Sequence, residues 1–203
     1  MDLGLKGLKA VVTGGTKGIG RAIAQTLAVE GAHVAFCARN AEEVAQAVKD
    51  FPNTGVKISG RVVDVADGPA LAAWVNDVAA EFGGIDIVVA NVSALAIATD
   101  EAAWQRGFEV DMMGTVRLVN AAMPYLEKSS KASIVTISSV SSDGAAGDEL
   151  EHARGTMLLH SDHDSSPEPQ WTALAEAAFR ARDSMVHQGV NEESGDELYA
   201  QMK

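Results

Sequence analysis

Four glycines follow a threonine near the start of the chain, in Thr13-Gly14-Gly15-Thr16-Lys17-Gly18-Ile19-Gly20. Glycine permits a tight turn and lets backbone N–H groups approach phosphate oxygens, and a helix starting just beyond adds the partial positive charge of its N-terminus. The flanks give the G-x-x-x-G-x-G spacing its meaning. The apolar run Leu8 to Thr13 precedes it, and Ile19, Ile23 and Leu27 follow at helical spacing. A loop between strand and helix reads as the pyrophosphate cradle of a dinucleotide, against the alternative of an ordinary glycine-rich turn. At the end of the second strand an acidic residue would receive the ribose hydroxyls of NAD. Here Ala38 is followed by Arg39, and with Lys17 that makes two cations suited to the extra phosphate of NADP. NADP is therefore expected in preference to NAD; the alternative for Arg39 is a surface residue at a strand end.

These residues need a sheet to bring them together. Apolar runs predict strands at Leu8–Thr13, Ala32–Ala38, Val56–Val65, Ile85–Ala90 and Ser133–Ser138. Helices are expected between them, from Gly18 to a stop at Gly31, over Ala41–Lys49, and from an Asp67 cap with Pro69 in the first turn. A long one runs from about Glu101 to Glu127, with Trp104, Phe108, Met112, Thr115, Val119 and Ala122 on one side. Strands alternating with helices give an α/β fold, a Rossmann-type doubly wound parallel sheet of about five strands. Ligands of such sheets bind at the carboxyl ends of the strands. The glycine loop, Arg39, Asp64, Asn91 and Ser138-Ser139 all fall there.

Composition bounds the rest. The 203 residues carry a net charge of −12, which argues against nucleic acid and anionic membranes as partners. No apolar run approaches the roughly 20 residues of a membrane span. Met1 to Gly4 lacks the basic and apolar regions of a signal peptide. The single cysteine, Cys37, excludes an intrachain disulfide, and a cytoplasmic setting is expected. The charge is uneven: residues 148–203 hold 12 acids against 4 Lys plus Arg, and four of the five histidines. That break suggests two segments with different histories.

Thr13-Gly14-x-x-x-Gly18-x-Gly20 resembles the cofactor loop of the short-chain dehydrogenase/reductase family, and other landmarks follow in that family's order over residues 5 to about 147. Asp64-Val65 resembles the pair at the adenine end. Asn91-Val92-Ser93-Ala94 keeps only the first residue of the family's Asn-Asn-Ala-Gly. Val135-Thr136-Ile137-Ser138-Ser139 resembles the strand carrying the substrate-positioning serine. The resemblance implies cofactor contacts from Gly14, Thr16, Lys17, Gly18, Ile19, Gly20, Arg39, Asp64, Val65 and Asn91, and hydride transfer between nicotinamide and a carbonyl or alcohol, as in a 3-oxoacyl reductase. It places Ser139, with Ser138 second, on the substrate oxygen. Asp111 falls at the relay position, where the family usually has Asn. The family also uses a tyrosine as acid/base with a lysine four residues on. A phenol of pKa near 10 needs such a cation to act at neutral pH.

The Tyr-x-x-x-Lys pair should follow Ser139 by about a dozen residues, yet its only match is Tyr199-Ala200-Gln201-Met202-Lys203. Gly147-Asp148-Glu149-Leu150 recurs as Gly195-Asp196-Glu197-Leu198, and excising 151–198 would set Tyr199 12 positions after Ser139. The expected organisation is a dinucleotide-binding domain over 1–150, an insertion of loop plus one helix over 151–198, and the displaced motif at 199–203; a chance repeat is the alternative. His160-Ser161-Asp162-His163-Asp164 reads as a solvated loop, and no metal is expected. The chain ends where the family would continue with further strands and a substrate lobe, so a C-terminal truncation is expected. Three functional readings follow: an NADP-dependent oxidoreductase acting on a small carbonyl or alcohol, with homo-oligomers formed through the long helix; a non-catalytic NADP-binding protein; and an incomplete chain that folds poorly.

Overall fold

The computed structural model describes residues 3–95 and 100–137. In chain order they form β1 (Lys9–Thr13), α1 (Gly18–Val29), β2 (His33–Ala38), α2 (Ala41–Lys49), β3 (Ile58–Val62), α3 (Gly68–Phe82), β4 (Ile87–Ala90), α4 (Glu101–Gly107), a π-helical stretch Phe108–Met113, α5 (Gly114–Leu126) and β5 (Ser133–Thr136). All strand pairs are parallel, in the order β3-β2-β1-β4-β5. The order reverses between β1 and β4, the crevice where such sheets take their ligands.

Both faces of the sheet are covered, which explains why its central strands β1, β2 and β4 are apolar without alternation. Val11, Ala35, Cys37 and Val88 point to the face packed by Leu71, Val75 and Val78 of α3 and Leu118 and Ala122 of α5. Their neighbours Ala10, Val12, Val34, Phe36 and Val89 point the other way, to Ile23, Ala24 and Leu27 of α1 and Val44 of α2. At the amino edge of the strands, buried Asp86 fastens β1 to the β4–β5 side. Its carboxylate accepts hydrogen bonds from Lys9 N (2.9 Å) and Ser129 Oγ (2.6 Å) and pairs with Lys9 Nζ at 3.2 Å.

Within the described residues the expected elements form, with two corrections. The third strand is shorter than the run Val56–Val65, because the chain after Val62 already bends into the turn that leads to Asp67. The long helix runs as foreseen but changes winding over Phe108–Met113, and of the expected stripe Ala122 is buried and Met112, Thr115 and Val119 are half-buried, whereas its aromatic residues face outward. Trp104 is 44% and Phe108 55% exposed, while Ala103, Gly107, Asp111, Gly114, Leu118 and Ala122 are buried. The reason is steric. A Cβ on Gly114 would stand 3.0 Å from Val65 Cγ2, so this contact is made by small residues. Ser138, Ser139, Tyr199, Lys203, the 151–198 segment and the histidine-rich stretch lie outside the described residues.

Candidate cofactor site

The site is built on the turn that links β1 to α1. Gly14 and Gly18 have φ of +72° and +56°, left-handed backbone that glycine adopts without cost. Gly14 N donates to Cys37 O at 2.9 Å and Gly15 N to the same carbonyl at 3.3 Å, so the loop is anchored on the end of β2. A Cβ on Gly15 would run into the Phe36 side chain, and one on Gly20 would meet the Asn91 amide and the Gly14 carbonyl. Around Gly18 there is open space. Glycines are thus required by packing on the inner side of the loop, while the outer side is left free for a ligand.

α1 begins at that free side. Its N-cap, Lys17, has extended backbone and gives no side-chain cap, and the first helical bond is Arg21 N to Lys17 O. The amides of Gly18, Ile19 and Gly20 are therefore the helix's orphan donors, suited to an anion. Ile19, in the first turn of α1, packs partly into the core, and Gly20 is buried. An uncapped helix start, an open left-handed glycine and a cradle that excludes side chains fit a dinucleotide pyrophosphate.

Asn91, just beyond β4, braces the loop from below. Its Nδ2 donates to Thr13 O at 3.1 Å and Gly14 O at 3.5 Å, and its backbone N donates to Thr13 Oγ1 at 3.0 Å. Thr13 Oγ1 in turn donates to Val89 O at 3.4 Å. Asn91 thereby joins the two strands that flank the reversal. Asp64 is exposed at the carboxyl side of β3, where its Oδ1 accepts from Ala66 N at 3.0 Å. Val65 is buried and lines a cleft with Thr13, Ala90, Val92, Val110, Gly114, Thr115 and Leu118.

Arg39 is exposed at the end of β2, on the rim where the sequence placed it. Lys17 is also exposed, but Glu43 holds it at 3.4 Å. Glu43 also accepts from Thr16 Oγ1 at 3.2 Å. Sequence reasoning missed Glu43, because an acid in the first turn of an amphipathic helix reads as an ordinary solvated face. Its place three residues after Asn40, which caps α2 by accepting from Glu42 N and Glu43 N, marks the helix start but carries no sign of those partners.

Asp111 is buried within the π-helical stretch. Its carboxylate accepts from Ala94 N at 2.6 Å and Ser93 Oγ at 3.4 Å, so it fastens the segment that follows Asn91. π turns carry an extra residue and recur at functional sites. Beneath the glycine loop, burial pushes the Cys37 thiol up from an ordinary 9.0 to about 12. The Asp64 charge adds to the rise, and the Gly14 backbone hydrogen bond opposes it. Such a thiol is inert at neutral pH.

A family model of the short chain dehydrogenases matches residues 8–148. This chain belongs to that family. Among the short-chain dehydrogenase relatives, isoepoxydon dehydrogenase of Penicillium expansum is 39% identical over 144 residues, covering 68% of this chain and 55% of that protein. The 3-oxoacyl-acyl-carrier-protein reductase of Escherichia coli is 33% identical over 155 residues, covering 74% and 62%. Among solved structures, L-sorbose reductase from Gluconobacter frateurii, complexed with NADPH and L-sorbose, superposes with a TM-score of 0.64 at 34% identity, over 70% of this chain and 56% of that one. Carveol dehydrogenase from Mycobacterium avium, in complex with NAD, gives 0.65 at 25% identity over 72% and 60%. The chain thus spans little more than half the length of the relatives it matches. The fold carrying the loop is the Rossmann-type sheet of the short-chain dehydrogenases. Among the described residues no helix is long and apolar enough to cross a membrane.

Proposed function

We propose that this chain binds NADP(H) through the Thr13–Gly20 loop and belongs to an oxidoreductase that interconverts a small carbonyl and its alcohol in the cytoplasm. The observation that carries the reading is the uncapped start of α1 facing the open side of Gly18. Gly14, Thr16, Gly18, Ile19 and Gly20 form the pyrophosphate cradle, with Asn91 holding its shape. Arg39 and Lys17 receive the ribose phosphate, and Asp64 and Val65 bound the adenine end. NADPH, when bound, supplies the hydride for the carbonyl carbon. Ser139 holds the substrate oxygen, Tyr199 gives or takes the proton there, and Lys203 lowers the tyrosine pKa. The E. coli relative's name supports a 3-oxoacyl reductase type of substrate. Exposed Trp104, Phe108 and Val116 on the long helix support a homo-oligomer formed through it.

A second reading, NADP binding without catalysis, is favoured by Asp111. Where the family usually has a neutral Asn, this carboxylate is engaged with Ala94 N and Ser93 Oγ. Fluorescence titration with NADPH, run beside turnover on a panel of carbonyl compounds, separates the readings. Binding with turnover supports the first, binding alone the second, and failure to bind either dinucleotide overturns both.

A further inference from the structure

The two cations on the rim of the loop stand in different electrical surroundings. Arg39 is exposed and makes no ion pair among the described residues. Lys17 Nζ lies 3.4 Å from Glu43 Oε1, and the other Glu43 oxygen accepts from Thr16 Oγ1 at 3.2 Å. This contact is held from both ends. Asn40 fixes the first turn of α2, accepting from Glu43 N at 3.1 Å. Thr16 is only 6% exposed, so its hydroxyl presents a fixed donor to the carboxylate. The pair itself remains wet, with the Lys17 side chain 79% and Glu43 39% exposed. Exposed pairs of this kind add little to stability. What Glu43 changes is the charge that an incoming ligand meets.

We propose that Glu43 discriminates between cofactors: it occupies Lys17 as a built-in anion, opposes the ribose phosphate of NADPH, and brings the affinities for NADPH and NADH closer together. The inference rests on the reading of the Thr13–Gly20 loop as the cofactor site. A phosphate bound between Arg39 and Lys17 must share Lys17 with Glu43 and meets a like charge one side chain away. NADH, which has hydroxyls there, meets no such repulsion. Arg39 alone is left to favour the phosphate without competition.

The test is Glu43→Gln, which keeps an oxygen to accept from Thr16 and removes the charge. Glu30→Gln, at the far end of α1, makes the same change in net charge as a control. NADPH and NADH are titrated into the protein and both variants by cofactor fluorescence, at low and at raised salt. Glu43→Gln should tighten NADPH about tenfold, equivalent to about 1.4 kcal/mol, and leave NADH nearly unchanged. The gain should shrink with salt, and Glu30→Gln should follow the parent. An equal shift for both dinucleotides, no shift for NADPH, or weaker binding of both by Glu43→Gln overturns the role of Glu43 and leaves the cofactor site standing. Failure of all three proteins to bind either dinucleotide overturns the site itself, and this inference with it.

Discussion

Among the described residues four helices begin on the carboxyl side of the sheet, and three of them close their own first turn. Asn40 accepts from two amides of α2, Asp67 accepts from Ala70 N to cap α3, and Asp100 accepts from Ala103 N to cap α4. α1 has Lys17 at the same position and no side-chain cap. The capped helices have satisfied part of their need for an anion within the chain, whereas α1 keeps its amides for a ligand. A helix start that would cost stability if left bare is thus a binding site when glycines keep side chains out of the way.

The largest blow to this contrast should come from Gly20→Val. Its Cβ would press on the Asn91 amide and the Gly14 carbonyl. Overpacking of this kind costs about 1–3 kcal/mol, so a fall in Tm is expected together with loss of the NADPH fluorescence signal. Retained binding would show that the loop is not the cradle. Next comes Asp111→Leu, which strands Ala94 N. Loss of a buried partner costs about 1–3 kcal/mol, whereas Asp111→Asn keeps an acceptor and should unfold in urea near the parent's midpoint.

A third effect appears only in alkali. Cys37 titrates near 9.0 when exposed and about 12 in the fold. Below pH 9 both states hold the proton and the thiol does not influence folding. Between the two values only the unfolded chain ionises, so stability should fall by about 1.4 kcal/mol per pH unit. The difference in unfolding free energy between the parent and Cys37→Ala should follow that slope from pH 9 upward. A difference independent of pH would mean that the thiol is accessible. Smallest is Asp67→Ala, which removes the cap of α3 and should cost about 1 kcal/mol with no change in the NADPH Kd. If it weakened binding as Gly20→Val does, the distinction between capped and uncapped helices would fail.

What the sequence made legible was local. The Thr13–Gly20 loop, the Asp67 cap with Pro69 behind it, and the apolar first, second and fourth strands each rest on a few neighbouring residues, and each is where it was expected. The side of the long helix that faces the core was legible only in part. Its aromatic residues suggested one stripe, but the approach of Val65 to Gly114 demands small residues there, a constraint set by a partner far away in the chain. Asn91 was recognisable by its place after β4, yet its bonds to Thr13 and Gly14 depend on β1 and β4 being neighbours. Glu43 escaped for the same reason: nothing in α2 alone tells that Thr16 and Lys17 lie across from it.

The short stretch from Asn91 to Ala94 has a mechanical consequence. One end is clamped to the glycine loop by the Asn91 amide, and the other is clamped to the π-helical stretch by Asp111. A strut held at both ends passes on displacement instead of absorbing it. Gly14 and Asp111 are thereby tied together through four residues, and Asp111 lies in the π-wound part of the long helix.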